Sequence, residues 1–364
     1  MTITTDERMA LRTAVRDLLA DSCAEQDVRR VMATEEGYDP ALWRQLADLG
    51  VTGMLIHPDY GGAGLGPVEL EAVTEETGAA LLPSPFISSS VLAASLIQAA
   101  GTADDRQRLL PRLADGTSVG TVALAGPAGS WTRDGIDVTA GRDGTLTGSC
   151  RYVTFGQAAD LILVVARTAD GAGVFEVAPD AAGFSRSAEN VFDQTVRLSR
   201  FTFDSTPARR LGVAGWEAVQ HALDLAVIAL AGEQAGGARR ILDITVEYLR
   251  TRIQFGRPIG SFQALKHLAA DLLLQVESAA SAAQHAADAF ATAPDLAAGP
   301  VALAGFACAE AYETTALQAL QMHGGIGFTW EHPAHLFLRR ARSGAQLFGS
   351  SRQHRERYLG SKGA

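Results

Sequence analysis

After Gly215 the chain turns helical and stays so to near its end. Apolar residues recur at helical spacing through 216–251, 262–292, 300–323 and 333–344, with a short break at 292–300. Helices this long cannot bury an apolar stripe alone. Joined by short connections, they do so by packing against one another, which predicts a C-terminal four-helix bundle over 214–364.

The region before it has a different texture. Segments 121–124, 136–139, 145–147, 152–154, 161–165, 173–177 and 198–203 are short, rich in β-branched or aromatic residues, and separated by Gly/Asp turns. They predict an antiparallel β-barrel or sandwich over 118–213. Residues 1–117 read as helices, with Thr5 as an N-cap, an amphipathic helix over 40–49 and a glycine-rich loop at 58–66. The expected fold class is α+β, with an all-α N-terminal domain, a middle β-domain and a C-terminal helical bundle.

The 31 basic and 41 acidic residues give a net charge of −10, which argues against binding to nucleic acid or to an anionic membrane surface. Three widely spaced cysteines (Cys23, Cys150, Cys308) suggest neither a disulfide framework nor a metal site and fit a reducing compartment. The first residues show no basic-then-apolar leader, and no run approaches the ~18 apolar residues that span a bilayer. A cytoplasmic protein with no membrane insertion is expected.

Three segments carry chemistry. They are Arg151-Tyr-Val-Thr-Phe-Gly-Gln-Ala-Ala-Asp160, Arg250-Thr-Arg-Ile-Gln-Phe-Gly-Arg-Pro-Ile-Gly-Ser-Phe-Gln263 and Gln321-Met-His-Gly-Gly-Ile-Gly-Phe-Thr-Trp-Glu-His-Pro333. A dinucleotide pyrophosphate needs a cation and closely approaching backbone amides, and paired glycines permit that approach. With Trp43–Val51 and the Tyr60-Gly-Gly loop, these segments resemble the acyl-CoA dehydrogenase family, in order, across nearly the whole chain. The resemblance implies FAD as cofactor. It implies that Arg252, Gln254, Phe255, Gln263, Gln321, Gly324 and Gly325 reach a flavin dinucleotide seated on a neighbouring subunit. It also places Leu124, Ala125, Tyr152 and Thr154 beside the isoalloxazine ring, with the Thr154 hydroxyl toward flavin N5. His323 and His332 are expected to be structural or cofactor-lining.

Two departures stand against this pattern. The family's flavin loop resembles Ala-Leu-Thr-Glu-Pro-x-Ala-Gly-Ser-Asp, whereas Ala123–Trp131 is one residue shorter and has Ala125, Gly126 and Trp131 at the Thr, Glu and Asp positions. α-Proton abstraction from a thioester requires a carboxylate near that carbon. The two positions at which the family carries it are occupied by Phe348 and Ala226, leaving Glu233, Glu247 and Asp224 as weaker candidates.

The expected role is therefore participation in α,β-dehydrogenation of an acyl-CoA as a subunit lacking its own base. Its partners would be a related chain or a second copy, and an electron-acceptor flavoprotein. A self-sufficient dehydrogenase with a relocated carboxylate and a flavin monooxygenase on the same fold are the alternatives. Ala226, Ala229 and Ala231 would leave room for a bulky acyl chain.

Overall fold

The structure, a computed structural model, describes residues 4–213 and 215–363. The start of the chain read for a leader (Met1–Ile3) and the expected domain boundary at residue 214 lie outside the described residues. The chain opens with α1 (Thr5–Ser22), α2 (Glu25–Met32), α3 (Pro40–Asp48) and α4 (Pro67–Ala79). A π-helical stretch, Ile87–Ala93, runs into α5 (Ala94–Ala100), followed by α6 (Ala103–Ala114). The strands are β1 (Gly120–Ala123), β2 (Thr139–Ala140), β3 (Thr145–Thr154), β4 (Leu161–Thr168), β5 (Gly171–Val177), β6 (Phe184–Ala188), β7 (Leu198–Pro207) and β8 (Arg209–Leu211). Then come α7 (Trp216–Thr251), the hairpin β9 (Ile253–Gln254) and β10 (Arg257–Pro258), α8 (Gln263–Thr292), α9 (Ala298–His323), α10 (Ala334–Gly344) and α11 (Ser351–Ser361).

The α1 cap is Thr4, one residue before the expected Thr5. Its hydroxyl accepts from the Glu7 amide at 3.2 Å while the Glu7 carboxylate accepts from the Thr4 amide at 2.8 Å, a reciprocal capping box.

Internal contacts divide the chain into two compact units, neither contiguous. One comprises Arg30–Gly66 and Pro83–Ala226; the other comprises Thr4–Arg29, Pro67–Leu82 and the residues from Val227 onward. The helices that the sequence groups in one N-terminal domain are thus shared between the units, and α7 is divided at 226/227.

In the first unit a single sheet runs β6-β7-β3-β2-β4-β5-β8, with β1 also paired to β4. Most pairs are antiparallel, but β1 and β2 run parallel to β4, which residue alternation alone does not reveal. Strand β7 alternates buried and exposed positions along most of its length, whereas Leu161–Ala166 of β4 is buried on both faces. Val138, Leu146, Cys150, Val164, Phe175, Phe201 and Phe203 form the core, with Phe184 edge-on to Phe201 at 5.1 Å. Helix α6 is tied to the sheet by ion pairs from Arg209 to Asp105 at 2.9 Å and from Arg108 to Glu176.

In the second unit the long α7, α8 and α9 are joined by α10, α11, α1 and α4. Helix α4 meets α7 backbone to backbone. A Cβ at Gly78 would collide with the Glu233 carbonyl, and one at Gly236 with that of Glu75. Arg12 and Arg16 of α1 pair with Glu76 of α4 at 2.5 and 2.8 Å. Among the described residues no helix is long and apolar enough to cross a membrane, and no cluster of three or more metal-ligating side chains occurs.

Candidate functional site

The candidate residues of the first unit gather where β1 ends beside β3. The Thr121 hydroxyl donates to the Thr154 carbonyl at 2.7 Å and so anchors the end of β3. No hydrogen bond within the described chain engages the hydroxyl of Thr154 itself. The β3–β7 register slips between Cys150 and Val153, and there Tyr152 takes a left-handed backbone, φ +59°. Its ring lies against Gly129, where a Cβ would stand 2.9 Å from it, and under the Arg151 guanidinium at 5.0 Å. Leu124 and Ala125 are buried.

The loop from Ala123 to Trp131 is closed on itself. The Gly126 amide donates to Gly135 O at 3.1 Å, the Gly129 amide donates to Gly126 O at 2.9 Å, and Ala125 O accepts from the Arg151 amide at 2.8 Å. Trp131 is buried at the position where the family pattern has an aspartate. The amides of Gly126 and Gly129, which the loop pattern would offer to a flavin, are already engaged.

The second unit's candidates have the opposite character. Strands β9 and β10 pair Gln254 with Arg257 and Ile253 with Pro258, so the hairpin turns on Phe255 and Gly256 alone. Both residues have positive φ, +54° and +74°, the signature of a two-residue type I′ connection. Phe255 is held at the tip and is 89% exposed. Arg252, Gln254, Gln263 and Gln321 are exposed, and no side-chain hydrogen bond or ion pair engages them among the described residues. Gly324, φ +64°, and Gly325 open the 3-10 turn Gly324–Phe328, and no atom lies within 4 Å of a Cβ built on either. The turn thus presents bare backbone outward.

The base positions are apolar and closed. Phe348 is 5% exposed with φ +58°, a left-handed conformation rarely held by a bulky residue, and Ala226 is fully buried. Ala229 and Ala231 are fully buried too. Of the alternative carboxylates, Glu233 is paired with Arg340 at 2.6 Å, and Asp224 accepts from Gln220 at 2.8 Å. Glu247 is exposed near the end of α7. Sequence reasoning did not single out Arg340 or Thr121. Arg340 stands beside Arg339 with no local signal to distinguish them, and the bond from Thr121 exists only once β1 lies next to the end of β3.

A family model for the acyl-CoA dehydrogenase N-terminal domain matches residues 5–117, and one for the C-terminal domain matches residues 214–359. The Mycobacterium tuberculosis protein named acyl-CoA dehydrogenase IpdE2 is 36% identical, over 96% of this chain and 95% of its own length. This chain belongs to the acyl-CoA dehydrogenase family. Among solved structures, the ChsE4–ChsE5 complex from Mycobacterium tuberculosis is similar with a TM-score of 0.91 and 30% identity, covering 99% of this chain and 98% of the matched one. A structure described as the Tcur3481–Tcur3483 steroid ACAD is similar with a TM-score of 0.89 and 31% identity, covering 98% of each chain.

Membership makes the protein an oxidoreductase of a flavoprotein family whose cofactor is FAD. The second unit's residues fit that group, since they present a cation, three amide side chains and an open glycine turn, none committed among the described residues. The Thr154 hydroxyl fits as well, whereas the self-bonded loop Ala123–Trp131 fits it poorly.

Proposed function

We propose that this chain is the subunit without a base in a hetero-oligomeric acyl-CoA dehydrogenase, completing the FAD site of a related catalytic chain. One contrast carries the reading. The positions for a base hold buried Phe348 and Ala226, while Arg252, Gln254, Gln263 and Gln321 stand exposed with no side-chain partner among the described residues.

FAD, when bound, accepts the hydride that leaves the β-carbon of the acyl thioester. This chain's part is to bind and orient. Arg252 offers a delocalised cation to the pyrophosphate, whose charge a planar guanidinium matches with two parallel hydrogen bonds. Gln254, Gln263 and Gln321 offer amide donors and acceptors, and the Gly324-Gly325 backbone allows close approach. Phe255 at the hairpin tip supplies a flat apolar surface for a purine. The proton is taken by a carboxylate of the catalytic chain. The names of the similar complexes, which describe a two-chain assembly and a steroid enzyme, support a heteromer and a bulky, ring-bearing acyl group.

A self-sufficient enzyme has less support, because Glu233 and Asp224 are engaged by Arg340 and Gln220. Purifying this chain alone and together with a related chain that carries the glutamate tests the proposal. Flavin and acyl-CoA-dependent turnover are expected only in the co-purified complex. Stoichiometric flavin and full turnover in this chain alone would overturn the proposal.

A further inference from the structure

Beneath the glycine turn lies a cluster that the proposed function leaves unused. His323, the last residue of α9, is buried, and its Nδ1 donates to the Ala319 carbonyl at 2.7 Å. That bond leaves Nε2 of the neutral ring bare, and the atom is buried with no hydrogen-bond partner. The ring lies 4.2 Å from His332 and 4.6 Å from Tyr248, whose hydroxyl donates to the His323 carbonyl at 3.4 Å. His332 Nδ1 accepts from the Ala334 amide at 3.2 Å and so is deprotonated there. His335 packs edge-on to Trp330 at 4.5 Å, its Nε2 also buried without a partner. Arg29 of α2 and Arg339 of α10 lie over the Trp330 ring at 5.9 and 5.3 Å. The Glu25 carboxylate acts on both His332 and His335, and Arg29 already engages it at 2.7 Å.

Burial, the approach of His323 to His332 and the Arg29 and Arg339 guanidiniums therefore disfavour further positive charge on these imidazoles, against the Ala319 carbonyl and a Glu25 carboxylate that is already shared. The chain between His323 and His332 is the turn Gly324–Phe328 followed by Thr329, Trp330 and Glu331, so the cluster pins both ends of this segment. We propose that the His323–His332–His335 cluster is an acid-sensitive clasp, holding the Gly324–Phe328 turn in shape while the rings are neutral and releasing it when they gain protons.

Burial holds all three histidines below their ordinary range, assisted at His332 by His323 and at His335 by Arg29 and Arg339; His335 is pushed down to about 4. Because the unfolded or opened chain binds protons more readily, stability is complete above the ordinary histidine value of 6.5 and is lost as pH falls below it. Loss of flavin on acidification is a further consequence that rests on the proposed function; the clasp itself does not.

A protonated histidine against an indole quenches its fluorescence, so Trp330 reports on the clasp directly. The test follows Trp330 emission, taken as the difference between the wild type and Trp330→Phe, from about pH 8 to about pH 4. Melting temperature and retained flavin are measured on the same samples, using the co-purified complex. Melting temperature is expected to fall once the pH drops below about 6.5, and Trp330 emission to fall later, as the pH approaches about 4, where folded His335 gains its proton. His335→Gln should remove the emission step, and His332→Gln should make the acid fall in melting temperature smaller. Variants that keep the wild-type melting temperature at pH 8 qualify, and either one alone decides. A melting temperature flat to about pH 5, emission flat to about pH 4, or identical responses in wild type and variants would overturn the clasp. Absence of flavin at every pH would count against the proposed function and leave the emission and melting results to judge the clasp.

Discussion

Arg340 donates to the Glu233 carboxylate at 2.6 Å with side chains only 4% and 12% exposed, and its other nitrogen reaches the Leu82 carbonyl at 3.1 Å. One guanidinium thus links α10 to α7 and to the chain just after α4. Removing it would strand a carboxylate in a dry site. Arg340→Met is expected to lower stability by about 3–5 kcal/mol, read from chemical denaturation. Glu233→Gln should keep a hydrogen bond and leave turnover of the complex unchanged. A large loss of turnover with normal stability would make Glu233 a base after all.

Arg252 has no partner within the described chain, so its loss should cost this chain nothing. Arg252→Ala is expected to leave the melting temperature of the isolated subunit where it is. In the complex it should weaken flavin binding by about 2 kcal/mol, roughly thirtyfold, as measured by equilibrium dialysis of FAD.

Glu71 of α4 is buried with one oxygen unpaired. Burial, reinforced by Glu75, pushes its carboxyl up to about 8. An acid whose folded value exceeds its unfolded one contributes stability that is fully present below about pH 4.5 and is lost as pH rises through about 8. Melting temperature should therefore fall as pH rises from about 4.5 to about 8. Glu71→Gln, neutral throughout, should flatten that slope, which a thermal-shift series in matched buffers will reveal.

Gly236 allows α7 to touch the α4 backbone at Glu75. Alanine is the better helix former, yet Gly236→Ala is expected to destabilise the protein by about 1–3 kcal/mol because the helices must separate. Gly360, near the end of α11 with nothing close to its Cβ position, is the control; Gly360→Ala should be neutral or mildly stabilising in the same denaturation experiment.

The helical and strand textures were legible wherever a regular apolar period existed, which is why α7, α8, α9, β4 and β5 lie close to where the pattern puts them. Helix α11 left no such mark, because its buried face is His354 alone and the rest is polar. Strand β6 has no fully buried position, so alternation could not reveal it. The hairpin β9–β10 stood inside a segment read for its chemistry, and its turn residue is a phenylalanine where that turn type favours asparagine or aspartate. At the site, Arg252 and the glycine turn could be named from residue order. The engaged amides of the loop at Ala123–Trp131 could not, since their acceptors include Gly135, brought near only by the fold.

The division of the chain into two interleaved units bears on how the protein is made. Helices α1 and α4 belong with residues from Val227 onward, so this pair leaves the ribosome long before the later helices that α4 packs against exist. Their apolar faces must wait, exposed or chaperoned, through synthesis of the whole sheet. A fragment ending near residue 226 would carry these orphaned helices permanently. Recombinant truncation at the family's domain boundaries is thus a route to aggregation, and a late premature stop in the gene would lose the second unit while leaving two of its helices behind.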